Sequence, residues 1–176
     1  IAPYVWDTQI VSLYEEKLNI CYDPSINTSN NKYIIIAEPN TQTTKTCLIP
    51  LIICDELYKS YKNIKVICLC KPETKAFSKF CKNLDIHKDN VVEYYSRRIF
   101  LETIYELKKK GLDLYILSHQ KDNPLNFLHL ETLSMSYPLI HNCEEYSEAG
   151  YYYNNDIYCG VKQLKLAFRN HSININ

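Results

Sequence analysis

The sequence has little glycine: three residues in 176. Neither the G-x-G-x-x-G fingerprint nor the Walker A pattern occurs, so a glycine-rich phosphate loop is excluded. A phosphate group would therefore have to be bound by other means, such as a helix N-terminus or a side-chain cation. The chain also begins with Ile1 rather than Met and shows no signal-peptide pattern, so we expect an excised fragment or a processed protein.

Eight cysteines are present, but none are spaced as C-x-x-C, which argues against zinc ribbons and thioredoxin-type motifs. No His, Cys and Asp set has the spacing of metal ligands, so we expect no metal site. Cys68 and Cys70 fall on the same side of a predicted strand, a poor geometry for a disulfide. We therefore expect a reducing compartment, the cytoplasm, which would be the host cytoplasm if the chain is viral.

Neither charge nor hydrophobicity points to a nucleic acid or a membrane. Lys and Arg total 20, Asp and Glu total 20, and the net charge is zero, so an extended nucleic-acid surface is not expected. The most apolar run, Cys47–Cys54, is too short to span a membrane. The length suits one domain with a substantial core.

From Tyr33 onward, short apolar runs alternate with segments of helical length, which predicts an α/β fold. The runs lack polar alternation, as is typical of strands buried on both faces of a parallel sheet. Right-handed crossovers then favour a Rossmann-like, doubly wound sheet of about six strands in the order 3-2-1-4-5-6. We assign residues 1–32 to a connector and N-terminal segment and residues 33–176 to this domain. Pro50 should kink the first helix or mark its first turn.

The stretch Leu114–Asn142 reads as strand, helix and strand with tight joints. Asn123 is a suitable N-cap and Pro124 a suitable first helical residue. The amides of residues 125–127 then belong to the first turn, where the helix dipole is positive and an anion can bind. Most capped helices bind nothing, so the alternative is a structural cap alone.

Polar residues follow the first and fourth predicted strands, Glu38–Asn40 and Ser118–Gln120. In the order 3-2-1-4-5-6 these two strands are neighbours, so their carboxyl ends border the crevice where ligands bind. Lys45 could supply a point charge for a diphosphate, or be a solvated surface lysine. His119 and His141 could donate to phosphate or sugar, although a lone histidine is more often structural.

Glu131 lies in an otherwise apolar helical window. Because unpaired burial of a carboxylate is costly, sugar or ribose hydroxyls would suit it as partners. The alternative is a glutamate on the exposed side of the helix.

Three motifs together resemble a known family: EPN followed by Lys45, NPLN…E…YPL.HN, and AGYYY. This set is similar to bacterial and giant-virus glycosyltransferases of the GT-B type, related to the retaining group-1 and group-4 enzymes. The likeness covers about residues 1 to 170 and implies the C-terminal, donor-binding half of such an enzyme. It implies a UDP- or GDP-linked nucleotide sugar as substrate, no other cofactor and no metal.

The resemblance also implies roles for individual residues. Related enzymes carry two acids separated by seven residues: Glu131 matches the second, which holds the ribose, whereas Asn123 replaces the first. Lys45 corresponds to the residue that neutralises the diphosphate, and Leu125 and Asn126 would offer backbone amides. The complete set of donor-site candidates is Glu38, Asn40, Lys45, His119, Asn123, Leu125, Asn126, Glu131, His141 and Asn142.

No catalytic residue is identified by these patterns. The resemblance places the acceptor in an N-terminal domain missing from this chain, so we expect nucleotide-sugar binding without sugar transfer by the chain alone. Two alternatives stay open: an epimerase or phosphorylase of the same fold, and a non-catalytic α/β interaction module.

Overall fold

The computed structural model describes residues 7, 9–18, 30–40, 44–96, 100–123 and 126–171. Its strands are β1 Lys32–Ile36, β2 Ile64–Cys68, β3 Val92–Tyr94, β4 Asp113–Leu117, β5 Leu139–His141 and β6 Tyr151–Tyr152. Its helices are α1 Gln9–Leu18, α2 Leu48–Ser60, α3 Lys75–Asn83, α4 Asp85–Lys88, α5 Phe100–Lys109, α6 Phe127–Ser134 and α7 Ile157–Asn170. Among the described helices, none has the length and hydrophobicity needed to cross a membrane.

The strands form one six-stranded sheet in the order β3-β2-β1-β4-β5-β6, and every neighbouring pair is parallel. The predicted fold class and strand order are confirmed. In the centre, Ile34 of β1 lies opposite Val66 of β2 on one side and Tyr115 of β4 on the other. From β1 the chain builds the sheet in one direction as far as β3, and it then returns to place β4 on the other side of β1. The boundary between β1 and β4 is therefore the switch point of a doubly wound fold.

The core has two layers, one on each face of the sheet. Ile34 and Ile36 face the layer that includes Leu51 of α2 and Leu164 of α7. Ile35, between them, faces the opposite layer, which includes Ile104 of α5. Successive side chains of a strand point to opposite faces, so a strand covered on both sides must be apolar at every position. This accounts for the unbroken isoleucine run of β1.

Helix α2 shows where Pro50 is tolerated. The helix begins at Leu48, so the buried Pro50 lies in the first turn, where a backbone N–H has no intrahelical partner in any case. Of the two predicted alternatives, the first-turn position is the one observed.

Helix α6 begins three residues later than predicted. Its N-cap is Asn126, whose side-chain oxygen accepts a hydrogen bond from the Leu128 N–H at 3.3 Å. The expected cap, Asn123, instead donates from Nδ2 to Gln120 Oε1 at 3.3 Å. The prediction of Asn123 as N-cap is therefore wrong. Residues 124–125, the predicted first helical positions, lie outside the described residues.

Candidate ligand site at the switch point

The segments that follow β1 and β4 meet at the carboxyl end of the sheet. Lys45 and Gln120 form an isolated antiparallel bridge. Next to it, the Lys121 N–H donates to the Thr44 carbonyl at 2.8 Å. Two loops distant in sequence are therefore joined by backbone hydrogen bonds at the carboxyl end of the sheet.

Lys45 lies at the N-terminus of α6. Its Nζ donates to Asn126 Oδ1 at 3.0 Å, and the same oxygen caps the Leu128 N–H at 3.3 Å. The N-terminus of a helix carries the positive end of its dipole, so a lysine placed there meets a field of its own sign. Both the cation and the helix end would gain from an anion bound between them.

A buried hydrogen-bonded chain lies beneath this position. Ser118 Oγ donates to Glu38 Oε1 at 2.5 Å, and His129 Nε2 lies 2.9 Å from Ser118 Oγ. Since the single hydroxyl hydrogen of Ser118 is directed to the carboxylate, His129 Nε2 must carry a hydrogen and donate to Ser118. We call this set, Glu38, Ser118 and His129, the buried relay.

The two ends of the buried relay both favour their neutral forms. Burial raises the pKa of Glu38 to about 7, against the opposing effects of the Ser118 hydrogen bond, the Lys45 charge and the His119 backbone N–H. Burial also lowers the pKa of His129 to about 3, helped by His141 and Lys45. Glu38 is only 1% exposed. It therefore lies inside the protein, where it accepts the hydrogen bond of Ser118 rather than facing a phosphate.

His119 is held in one tautomer by Tyr153. Its Nδ1 lies 2.8 Å from Tyr153 Oη, and that hydroxyl donates to the Ser118 carbonyl at 3.0 Å. Because the Tyr153 hydroxyl hydrogen is donated to Ser118, its oxygen can only accept from His119, and His119 Nδ1 is the donor. Burial lowers the pKa of His119 and favours neutral imidazole, whose Nε2 can only accept. Neutral His119 therefore suits a ligand hydroxyl and not the phosphate oxygen considered from sequence.

His141 and Asn142 are engaged within the protein. His141 Nε2 donates to the Ala149 carbonyl at 2.6 Å, and its Nδ1 accepts from the Cys143 N–H at 3.2 Å. Asn142 accepts from the Gln120 N–H at 2.8 Å and donates to the Gln120 carbonyl at 2.6 Å. Both side chains order the loops around the crevice, and no His141 ring nitrogen is left for a ligand.

The other sequence-predicted candidates occupy different places. Asn40 has a positive φ of 51° and its side-chain oxygen accepts from Thr46 Oγ1 at 2.9 Å, which ties the end of β1 to the start of α2. Glu131 is half-buried on α6, burial raises its pKa, and its carboxylate has no hydrogen-bond partner in the described part of the chain. Leu125 lies outside the described residues.

Four residues of this region were missed as site residues: Ser118, Gln120, His129 and Tyr153. Ser118 and Gln120 flank His119 after β4, and the sequence placed them at the border of the crevice without selecting them as donor-site candidates. His129 lies three residues after Asn126 and so shares its helix face. Tyr153 carries no local signal, because its partner His119 is 34 residues away in sequence.

Solved structures share this fold at low sequence identity. WaaG, a glycosyltransferase involved in lipopolysaccharide biosynthesis, matches with a TM-score of 0.59 and 12% identity over 94% of this chain and 43% of WaaG. The C-terminal domain of the group 1 glycosyltransferase LpcC from Francisella tularensis matches with a TM-score of 0.56 and 14% identity, over 94% of this chain and 88% of that domain. S. aureus MnaA, solved with UDP, matches with a TM-score of 0.55 and 11% identity over 84% of this chain and 40% of MnaA.

At these identities the likeness is one of fold, that of GT-B glycosyltransferase domains. The chain spans less than half the length of WaaG. A comparison with curated proteins found no match. Over residues 1–176 the sequence matches a protein family described as "Protein of unknown function (DUF2827)", and the chain belongs to that family.

Proposed function

We propose that this chain is the nucleotide-sugar-binding domain of a glycosyltransferase. The observation that carries the proposal is the position of Lys45, hydrogen-bonded to the N-cap of α6 across the β1–β4 switch point. A cation and a helix N-terminus that converge in a crevice form a natural diphosphate site. The fold shared with glycosyltransferases and with the UDP-bound MnaA agrees with it.

In this proposal the diphosphate of a UDP- or GDP-linked sugar lies between Lys45 and the start of α6, where the backbone of Leu125 and Asn126 would contribute. Glu131 would accept hydrogen bonds from the ribose hydroxyls, which suits a half-buried carboxylate without a described partner. Neutral His119 would accept from a sugar hydroxyl. As the sugar leaves, the diphosphate gains negative charge, which Lys45 and the helix dipole would stabilise without a metal or another cofactor.

Binding should be tested by isothermal titration calorimetry with UDP, GDP and their glucose and mannose conjugates. We expect at least one nucleotide to bind, and Lys45→Ala to weaken it roughly tenfold or more, as for the loss of a charge-assisted contact. Lys79→Ala provides the matched control, because Lys79 is an exposed lysine of α3. A folded protein that binds none of these nucleotides would favour the non-catalytic interaction module, and equal affinity of the Lys45→Ala variant would remove Lys45 from the site.

A further inference from the structure

A second cavity, of about 310 Å³, opens at the same edge of the sheet. Its walls are the turns after β4 and β5, residues 120–123 and 142–145, together with Tyr152 at the end of β6 and residues 154–155 after it. We call it the β6 pocket. The backbone at Gln120 separates it from the switch point, since this residue pairs with Lys45 on one side and with the Asn142 side chain on the other.

The β6 pocket differs from the switch point in charge. Its lining includes three carboxylates, Asp122, Glu144 and Glu145, against one lysine, Lys121. Formal charge in the pocket is therefore negative, and a diphosphate would be repelled. This charge disfavours an anionic ligand, and the amides and carboxylates of the lining suit a ligand rich in hydrogen-bonding groups.

The Gln120 side-chain amide contributes to the lining of the pocket. Gln120 is only 5% exposed and lines the cavity. Its Oε1 accepts from Asn123 Nδ2 at 3.3 Å, while its Nε2 has no partner within the described residues. Asn142 holds the Gln120 backbone and also donates to Asn155 Oδ1 at 2.6 Å, so two walls of the pocket are fixed to each other.

An aromatic side chain completes the lining. Tyr152 contributes to the wall, and its hydroxyl donates to Asn154 Oδ1 at 3.2 Å, which fixes the ring against the turn after β6. Sugars present hydroxyl groups that both donate and accept, and C–H faces that pack on aromatic rings. The amide donor of Gln120, the carboxylate acceptor of Glu144 and the Tyr152 ring match these three needs.

We propose that the β6 pocket binds a neutral saccharide, at a site separate from the one that holds the nucleotide. This goes beyond the proposed nucleotide-sugar binding and does not depend on it. The volume is sufficient for a monosaccharide unit.

The test is saturation-transfer difference NMR of the chain with glucose, galactose, mannose and N-acetylglucosamine, followed by titration of the sugar that binds. We expect one or more sugars to bind, Glu144→Ala to weaken binding roughly tenfold, and Glu144→Gln to recover part of it because an amide oxygen can still accept. Gln120→Ala should also weaken binding. Glu148→Ala is the control, because Glu148 is an exposed glutamate that does not line the pocket.

Thermal unfolding of each variant separates lost binding from lost folding, and Glu144 and Glu148 are both exposed, so their substitution should leave the fold intact. Repeating the titration with saturating UDP and with saturating UDP-glucose decides whether the site is separate. Unchanged sugar affinity in both would support it. No binding of any sugar, equal effects of the Glu144 and Glu148 substitutions, or competition by UDP-glucose would overturn the proposal, whether or not the nucleotides themselves bind.

Discussion

At the scale of single residues, the main feature is that Glu38 and Ser118, at the switch point, are buried and hydrogen-bonded to each other. Glu38 lies inside the sheet edge and is held by Ser118. A carboxyl whose folded pKa exceeds its unfolded value favours folding at low pH, and this stabilisation is lost as pH rises through the folded pKa. For Glu38 the pKa is 4.5 without the effect of folding and about 7 in the folded protein. Its contribution to the free energy of unfolding should therefore decline as the pH rises from 4.5 to about 7.

Glu38→Gln tests this directly, because glutamine resembles the protonated acid and can still accept from Ser118. We expect the variant to match the wild type in stability near pH 4.5 and to be more stable by about 3 kcal/mol near pH 8. Urea unfolding from pH 4 to 8 gives the difference curve. A flat curve for Glu38→Gln would contradict the burial argument.

At the scale of elements, the start of α6 joins folding to the proposed binding. Asn126 Oδ1 serves both the helix amide of Leu128 and the ammonium of Lys45. Asn126→Ala should cost about 1 kcal/mol as a lost N-cap. Asn126→Asp should be at least as stable as the wild type, because a carboxylate favours both the helix dipole and the lysine.

The same aspartate should weaken nucleotide binding, since it places a negative charge where the diphosphate would lie. Stability and affinity would then move in opposite directions, which is unusual for simple damage to the fold. Chemical denaturation together with calorimetry measures both quantities. An Asp variant less stable than the Ala variant would show that burial of the carboxylate costs more than its interactions with the helix dipole and Lys45 return.

Sequence reasoning succeeded for the strands and failed at this helix start for a physical reason. The uninterrupted apolar runs of β1 and β4 require cover on both faces, and this local fact, with right-handed crossovers, is enough to predict the strand order. Asn123 and Asn126 both have N-cap chemistry, and local sequence cannot rank them. The ammonium that binds Asn126 comes from Lys45, 81 residues earlier.

The residues of the candidate site, like the secondary structure, were predictable only in part. Lys45 was identified because it lies between the first strand and its helix, and Asn126 because its backbone amide falls in the first turn of the predicted helix. The buried relay was not, because Glu38 and Ser118 are 80 residues apart and each looks like an ordinary polar residue at a strand end. Contacts that form only in the folded sheet produce no recognisable residue spacing in the sequence.

At the scale of the whole molecule, the two halves of the sheet meet through loops that a nucleotide would bridge. Hydrogen exchange with and without UDP should therefore show slower exchange in both the 44–47 and the 120–128 segments, which are already joined at Lys121 and Thr44. Helix α3, on the other side of β2, should exchange at an unchanged rate and serves as the internal control. Protection of only one of the two segments would contradict a ligand held between them.

Sugar transfer makes a stronger demand on the molecule than binding does. Transfer requires an acceptor hydroxyl to be held in line with the donor's anomeric carbon, and most of the rate advantage of such positioning is lost when one reactant diffuses freely. The superposition with WaaG includes 94% of this chain but only 43% of WaaG, so a glycosyltransferase of that size has further surface with which to hold an acceptor.

If the proposed function is correct, the 176-residue chain should bind a nucleotide sugar yet release UDP or GDP from it no faster in the presence of added saccharides than in their absence. Coupled detection of released nucleotide, with mass spectrometry of the saccharides, measures this. Glycosylated product formed by the chain alone would mean that its own sheet edge aligns both reactants, and the β6 pocket would then be the first place to look for the acceptor.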